Sequence, residues 1–190
     1  MVLLGTDHHP FDRLMGWADE AARRHPTTRV VVQHGASRPP SVAEGHDYLP
    51  YAQMMELLTL ATAAVCHGGP GIIMDARAVG HVPICVPRDP ALGEHVDDHQ
   101  LRFAALVNRA GVVTRANTIE VFHQALDPLL ARPLSERPIT IPTSPATDAA
   151  RELVCRELDR LLVPRPARRR IRRSWDLPHV TRRQRTCGRA

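Results

Sequence analysis

The 190-residue sequence predicts an α/β domain in which one parallel sheet is covered by helices on both faces. Three observations lead there. Apolar runs of strand length alternate with helical stretches of roughly 10–15 residues, the pattern of strands joined by crossover helices. The runs are apolar throughout rather than at every second residue, as strands buried on both faces require. The run that ends at Cys66 opens into His67-Gly-Gly-Pro-Gly71, a glycine-rich turn that leads directly into a helical pattern. Together these describe a Rossmann-like layer.

Each element has its own signature. Residues 2–5 (VLLG) are the first expected strand, and residues 11–25 (FDRLMGWADEAARRH) space their apolar positions as an amphipathic helix does. Residues 28–35 (TRVVVQHG) give a second strand, after which a polar, proline-containing stretch reads as a connection. A helix over 51–63, a strand over 63–67, a short helix closed by Gly80 and a strand over 82–87 follow. The spacing then predicts a helix from about Asp97 to Arg109, a strand over 111–114 and a helix over 119–131.

Beyond Arg132 the text becomes proline-rich, and an amphipathic helix is expected over 147–163 with Thr147 as N-cap. The expected organisation is a domain at 1–135, a linker and C-terminal helix at 136–163, and an arginine-rich, disordered tail at 164–190.

Composition narrows the function classes. No apolar run reaches the ~20 residues of a membrane-spanning helix, and the opening MVLLGTDHHP lacks the basic region of a signal peptide, so a cytoplasmic location is expected. The four cysteines show no CxxC spacing, and Cys66 and Cys85 sit inside apolar runs, as small buried hydrophobes do. The net charge of +5 is a property of the tail: from Arg165 onward there are ten arginines and one acid, leaving fifteen arginines and nineteen acids before it. That tail has one aromatic residue, Trp175, so stacking platforms for nucleic acid are lacking and no nucleic-acid partner is expected. A basic strip of this kind suits an anionic membrane surface, compatible with a peripheral place at the inner face of the plasma membrane.

In an open parallel sheet, ligands bind beyond the carboxyl ends of the strands, so the loops at 5–10, 33–35, 67–71 and 87–96 are the candidates. At His67–Gly71 a strand ends in bare backbone and a helix begins. Its free N–H groups and dipole favour a phosphate, and Pro70 fits the first helical position. Asp75 lies one turn further on, where a carboxylate can accept from a ribose diol. A tight turn and a solvated helix residue are the competing structural readings.

These residues carry a resemblance. The segment CHGGPGIIMDARAVGHVPICVPRD, continuing to EHVDDHQLRFA, resembles the donor-binding half of GT-B glycosyltransferases of the family 28 type, with their H-x-G-x-G-x3-E block, G-x-P and D/N-H-Q. It is similar to the small cytosolic subunit of two-component N-acetylglucosaminyltransferases and to bacterial exopolysaccharide glycosyltransferase subunits. LLGTDHHPFDRL and VVQHG match that subunit's opening segments, and the likeness covers residues 1–130, with its specific part at 66–100. It implies that Gly5 and Thr6 border a diphosphate, that His67, Gly68, Gly69 and Gly71 hold phosphates, that Asp75 takes the ribose hydroxyls and that Gln100 takes the ribose or sugar. The sequence departs from the family in having Asp75 for glutamate, a shorter side chain that must approach the ribose more closely, and in its Pro70 and Ile72.

Other polar residues stay open. Asp97 and Gln100 also read as a capping-box pair for the helix that follows. His95 and His99 have i,i+4 spacing, but as loop residues without a third ligand they predict no metal. His8 and His9 are adjacent, with diverging side chains and Asp12 available to orient one.

The expected function is the donor-binding subunit of a glycosyltransferase that moves a hexosyl or N-acetylhexosaminyl group from a UDP-linked nucleotide sugar to a lipid-linked or polysaccharide acceptor. The nucleotide sugar is substrate, and no cofactor or metal is expected. His67 is the candidate catalytic residue, assisting charge on the departing diphosphate. The resemblance places the general base on an acceptor-binding half, so a membrane-anchored partner subunit is expected, docked through the helix at 147–163. The alternative is a non-catalytic nucleotide-sugar-binding or regulatory module, or a decayed copy of the family.

Overall fold

The chain divides into two compact units, Met1–Pro142 and Thr143–Ala190. The computed structural model describes residues 1–132, all within the first unit. The expected helix at 147–163, the arginine-rich tail, Cys155 and Cys187 lie outside the described residues.

Six strands form one sheet in which every neighbouring pair is parallel. In chain order the elements are β1 (Val2–Leu3), α1 (Asp12–Arg24), β2 (Val31–Gln33), β3 (Glu44–His46), α2 (Tyr51–Leu60) and β4 (Val65–Cys66). Then come α3 (Pro70–Ala78), β5 (Ile84–Cys85), α4 (His99–Arg109), β6 (Thr114–Arg115) and α5 (Ile119–Ala131). The spatial order β3-β2-β1-β4-β5-β6 reverses direction between β1 and β4. That gap between diverging connections is the topological switch point, where a crevice opens at the carboxyl ends of the strands.

The strands distribute their apolar side chains to both faces by simple alternation. Val2, Leu4, Val65 and Ile84 pack with Leu14, Met15 and Ala18 of α1 and with Phe122 and Leu126 of α5. Leu3 faces the other way, against Met54 and Leu58 of α2 and Ala76 of α3, and Cys66 and Cys85 meet Ile73 and Ala104 of α3 and α4 on that side. Cys66 and Cys85 are buried free thiols, and the hydrogen bond with Cys85, with burial adding to it, raises the Cys66 pKa well above the usual range.

One element was not legible in the apolar pattern. The stretch read as a connection contains β3, whose Glu-Gly-His sequence is polar because it is an edge strand. Main-chain pairing to β2 holds it, as in Glu44 N–H to Val30 O at 2.9 Å and His34 N–H to His46 O at 2.8 Å, and Arg29 grips Glu44 with two bonds of 2.8 Å. β6 lies at Thr114–Arg115, one step beyond most of the expected 111–114, because Gly111 closes α4 with a positive φ of 68°.

The connection between β2 and β3 is fixed by one buried carboxylate. Asp19 on α1 accepts the main-chain N–H groups of Ser41 (2.8 Å), Val42 (2.9 Å) and Ala43 (3.2 Å). Burial alone would raise its pKa, yet these three amides hold it below the usual range. Asp19→Ala leaves the amides without that acceptor and is expected to cost about 1–3 kcal/mol in urea denaturation. An unchanged midpoint would show that the loop finds its own partners.

Candidate functional site

A cleft of about 470 Å³ lies at the switch point, lined by Gly5, Thr6, Asp7, His67, Gly69, Gly71, Ile72, Asp75 and Gln100 among others. Two carboxyl-end loops and the start of α3 build it. A second hollow, of about 350 Å³, opens at the opposite ends of the strands among Val30, Leu57, Leu126 and Leu130, where the one charged side chain among the lining residues is Arg29, already bound to Glu44, and the Met1 amino group is tied to Ala63 O. The chemistry therefore concentrates at the first.

His67 is the floor of the corner. Its main-chain N–H donates to Leu3 O at 3.2 Å, which ties the end of β4 to β1. Its ring fills the space that side chains at Gly5 and Gly69 would need: a Cβ on Gly69 would come within 2.3 Å of Nε2, and one on Gly5 within 2.7 Å of Cε1. Gly5 also has a φ of 79°, which L-residues rarely adopt. Burial, with the nearby Arg88 guanidinium adding to it, lowers the His67 pKa from its ordinary 6.5 to about 4. The ring is therefore neutral at physiological pH, and towards a diphosphate it can offer a hydrogen bond but no charge.

The glycines thus divide their tasks. Gly5 and Gly69 admit the imidazole. Gly68 is buried and does not line the cleft; its N–H donates to Gln100 Oε1 at 3.2 Å. Gly71 faces open space, with nothing within 4 Å of an added Cβ. Pro70 occupies the first turn of α3, as expected, with Gly69 as N-cap. The first intrahelical bond is Ile73 N–H to Gly69 O, so the amides of Gly71 and Ile72 have no acceptor within the helix.

Asp75 lies on the cleft wall one turn along α3, where Tyr51 Oη donates to its Oδ1 at 3.1 Å. Gln100 is buried, and its Oε1 accepts both Gly68 N–H and Arg88 N–H (3.3 Å), joining the loops after β4 and β5. The capping-box reading of Asp97 and Gln100 does not hold: the N-cap of α4 is Asp98, and Asp97 Oδ1 accepts His99 N–H instead.

Sequence reasoning missed the scaffold beneath the cleft. Arg88 is buried and donates to the carbonyls of His9 (2.6 Å), Glu94 (3.0 Å) and Leu4 (3.0 Å), while its guanidinium lies 4.8 Å from the Phe11 ring centre. Arg13 on α1 forks onto Glu94 at 2.8 and 2.9 Å and onto Pro87 O at 2.9 Å. The two arginines hold the β5 loop against the β1 loop. Long-range pairs of this kind leave no periodic trace; the signal available was that Arg88 and Glu94 fall in a loop that follows a strand.

The β1 loop also differs from expectation. His8 and His9 do not diverge; their ring centroids lie 4.0 Å apart. Asp7, not Asp12, orients His9, accepting its main-chain N–H at 2.7 Å and its Nδ1 at 2.6 Å, whereas Asp12 accepts Arg38 N–H. Burial works to raise the Asp7 pKa, but the His9 bonds and Arg88 bring it down to about 2.

Two outcomes follow. Gly69→Ala must displace the His67 ring and is expected to lower the thermal midpoint, whereas Gly71→Ala leaves it unchanged or raises it, since alanine favours helix over glycine. Equal midpoints in scanning fluorimetry would show that the ring does not fill the corner. As pH falls below 6.5 towards about 4, the unfolded chain takes up a proton that folded His67 refuses, so this contribution to stability is lost. Between about pH 7 and about pH 5, His67→Asn is expected to lose less stability in urea than the parent.

Comparison with known proteins agrees with this architecture. Residues 5–153 match the model of the glycosyltransferase family 28 C-terminal domain. Among solved structures, the chain is similar to one titled "Crystal Structure Analysis of the Glycotransferase of kitacinnamycin", with a TM-score of 0.50 and 20% identity. The alignment covers 84% of this chain and 39% of that one, and at such identity it speaks for the fold alone. No curated protein matches. With a parallel sheet of this order, a cleft at its switch point and a family match over most of its length, the chain belongs to the glycosyltransferase family 28 C-terminal domain family.

Proposed function

We propose that this glycosyltransferase domain binds a UDP-linked hexose or N-acetylhexosamine in the cleft at the β1/β4 switch point and donates the sugar to a lipid-linked or polysaccharide acceptor. The observation that carries the reading is the gathering of Gly5, Thr6, His67, Gly69, Gly71, Asp75 and Gln100 around a single crevice. The amides of Gly71 and Ile72, at the positive end of the α3 dipole, face the space where a diphosphate would lie. Asp75, braced by Tyr51, is the acceptor for the ribose diol. Neutral His67 donates a hydrogen bond to a phosphate oxygen, so negative charge developing on the leaving nucleoside diphosphate meets donors already in place.

In this reading the acceptor and the general base come from a membrane-anchored partner subunit. Among the described residues no helix is long and apolar enough to cross a membrane, and we assign membrane contact to the partner and to the arginine-rich tail.

Calorimetric titration with a panel of nucleotide sugars tests the donor assignment. A UDP-linked sugar is expected to bind, and Gly71→Ala to weaken it without loss of stability. Asp75→Asn, which removes the charge from the acceptor, is expected to weaken it about ten- to hundredfold. If no nucleotide sugar binds, the assignment fails. Release of nucleoside diphosphate after co-expression with a neighbouring membrane-anchored gene product tests catalysis. Donor binding without release there would favour a non-catalytic nucleotide-sugar module.

A further inference from the structure

Beside the donor cleft, the loop after β5 brings together His95, Asp97 and His99, none of which lines it. The rings of His95 and His99 stand edge to face, 4.6 Å between centroids, with Asp97 between them. Asp97 Oδ1 is 3.6 Å from His95 Nδ1 and in direct hydrogen-bonding contact with His99 Nδ1. One ligand-capable atom from each of the three residues falls within 4.8 Å of the other two. A zinc ion with bonds of about 2.0–2.2 Å fits among these atoms once side-chain rotation opens the Asp97–His99 side of the triangle and closes the others.

The far side of His95 is the second observation. Its Nε2 lies 3.5 Å from Asp7 Oδ2, while Nδ1 faces Asp97 and lies 3.4 Å from the Asp97 main-chain N–H. Nδ1 accepts that N–H, so the proton belongs on Nε2, towards the carboxylate, and the Nδ1 lone pair is the one a metal ion would take over from the Asp97 amide. Asp7 is itself immobilised, since its other oxygen accepts two bonds from His9. A carboxylate behind the outer nitrogen is how metal-binding histidines are oriented and made more basic. His95 is also the most enclosed of the three, with its side chain 12% exposed.

We propose that His95, Asp97 and His99 bind one divalent transition-metal ion, with Zn²⁺ the best match, and that Asp7 is the positioning carboxylate behind His95. Two imidazoles and one carboxylate prefer zinc, nickel or cobalt to magnesium or calcium. Three protein ligands leave a tetrahedral ion one position for water. Bound there, the ion fastens the loop before α4 to the first turn of the helix that carries Gln100. The i,i+4 spacing of the histidines offers no third ligand by itself; the triad forms because loop residues His95 and Asp97 meet His99, the first residue of α4.

The test is titration of the full chain with ZnCl₂ and, separately, MgCl₂, after dialysis against chelator and with no oligohistidine tag. One Zn²⁺ per chain is expected, with a micromolar or tighter dissociation constant, no Mg²⁺ binding at the same concentrations, and a rise in thermal midpoint on adding Zn²⁺. Both the binding and the rise should be lost in His95→Gln and His99→Gln. The side chain of His99 is half exposed, so its replacement keeps the fold, which circular dichroism verifies. Asp7→Asn is expected to weaken Zn²⁺ about 10–100-fold, the usual effect of removing a carboxylate behind a ligand, and His8→Ala to leave it unchanged. Absence of Zn²⁺ binding, equal affinity in His99→Gln, or loss of binding in His8→Ala overturns the proposal. None of these readouts involves a nucleotide sugar.

Discussion

The imidazole of His67 rests against the main chain at Gly5 and Gly69, and the architecture of the cleft depends on that contact. Two strands adjacent in space but separated by sixty residues of chain must end at the same height for the ring to sit between their loops. Parallel pairing of β1 and β4 provides this, and the His67 N–H bond to Leu3 O locks the register at the point of need. A side chain at either glycine would evict the ring, so the bare backbone serves the protein's own packing before it serves a ligand. With its main-chain N–H spent on Leu3 and its ring charge suppressed by burial, the histidine gives the crevice a rigid, neutral base.

Around that base the polar groups have separate duties. Gln100 spends its carbonyl oxygen on two main-chain amides, which makes it a strut between loops as well as a residue of the cleft wall. Arg88, through its two terminal nitrogens, and Arg13 donate to carbonyls and to Glu94, clamping the β5 loop, and Asp7 is held by His9. On the open side of the cleft, α3 offers the amides of its first turn and the carboxylate of Asp75, one oxygen of which takes the Tyr51 hydroxyl. A site of this kind binds by preorganised donors rather than by net charge, which suits a domain whose described part carries no excess of basic residues.

The His95, Asp97, His99 cluster stands beside this crevice, next to it through Asp7, which faces His95, and through Gln100, which follows His99 in α4. It shares the general design of the fold, in which long loops after strands collect polar residues from distant stretches of sequence. Its presence at the rim gives the loop before α4 a chemistry of its own.

How much was legible follows from range. The alternation of apolar runs and helical stretches is a local property, so the parallel sheet, five of its six strands and all five described helices could be read directly, as could Pro70 at the head of α3. The candidate loops were also legible, because strand ends fix where a parallel sheet presents its ligands. β3 was not, since an edge strand needs no apolar residues and is made by pairing with β2. Nor were the Arg13–Glu94 fork, the Arg88 staple, the Asp7 grip on His9 or the double task of Gln100. Each joins groups brought together only when the strands align, and hydrogen bonds across such distances impose no period or spacing on the chain. Sequence alone therefore determined which segments become strands, helices and ligand-facing turns; the tertiary structure decided which side chains those turns spend on one another and which they leave for a ligand.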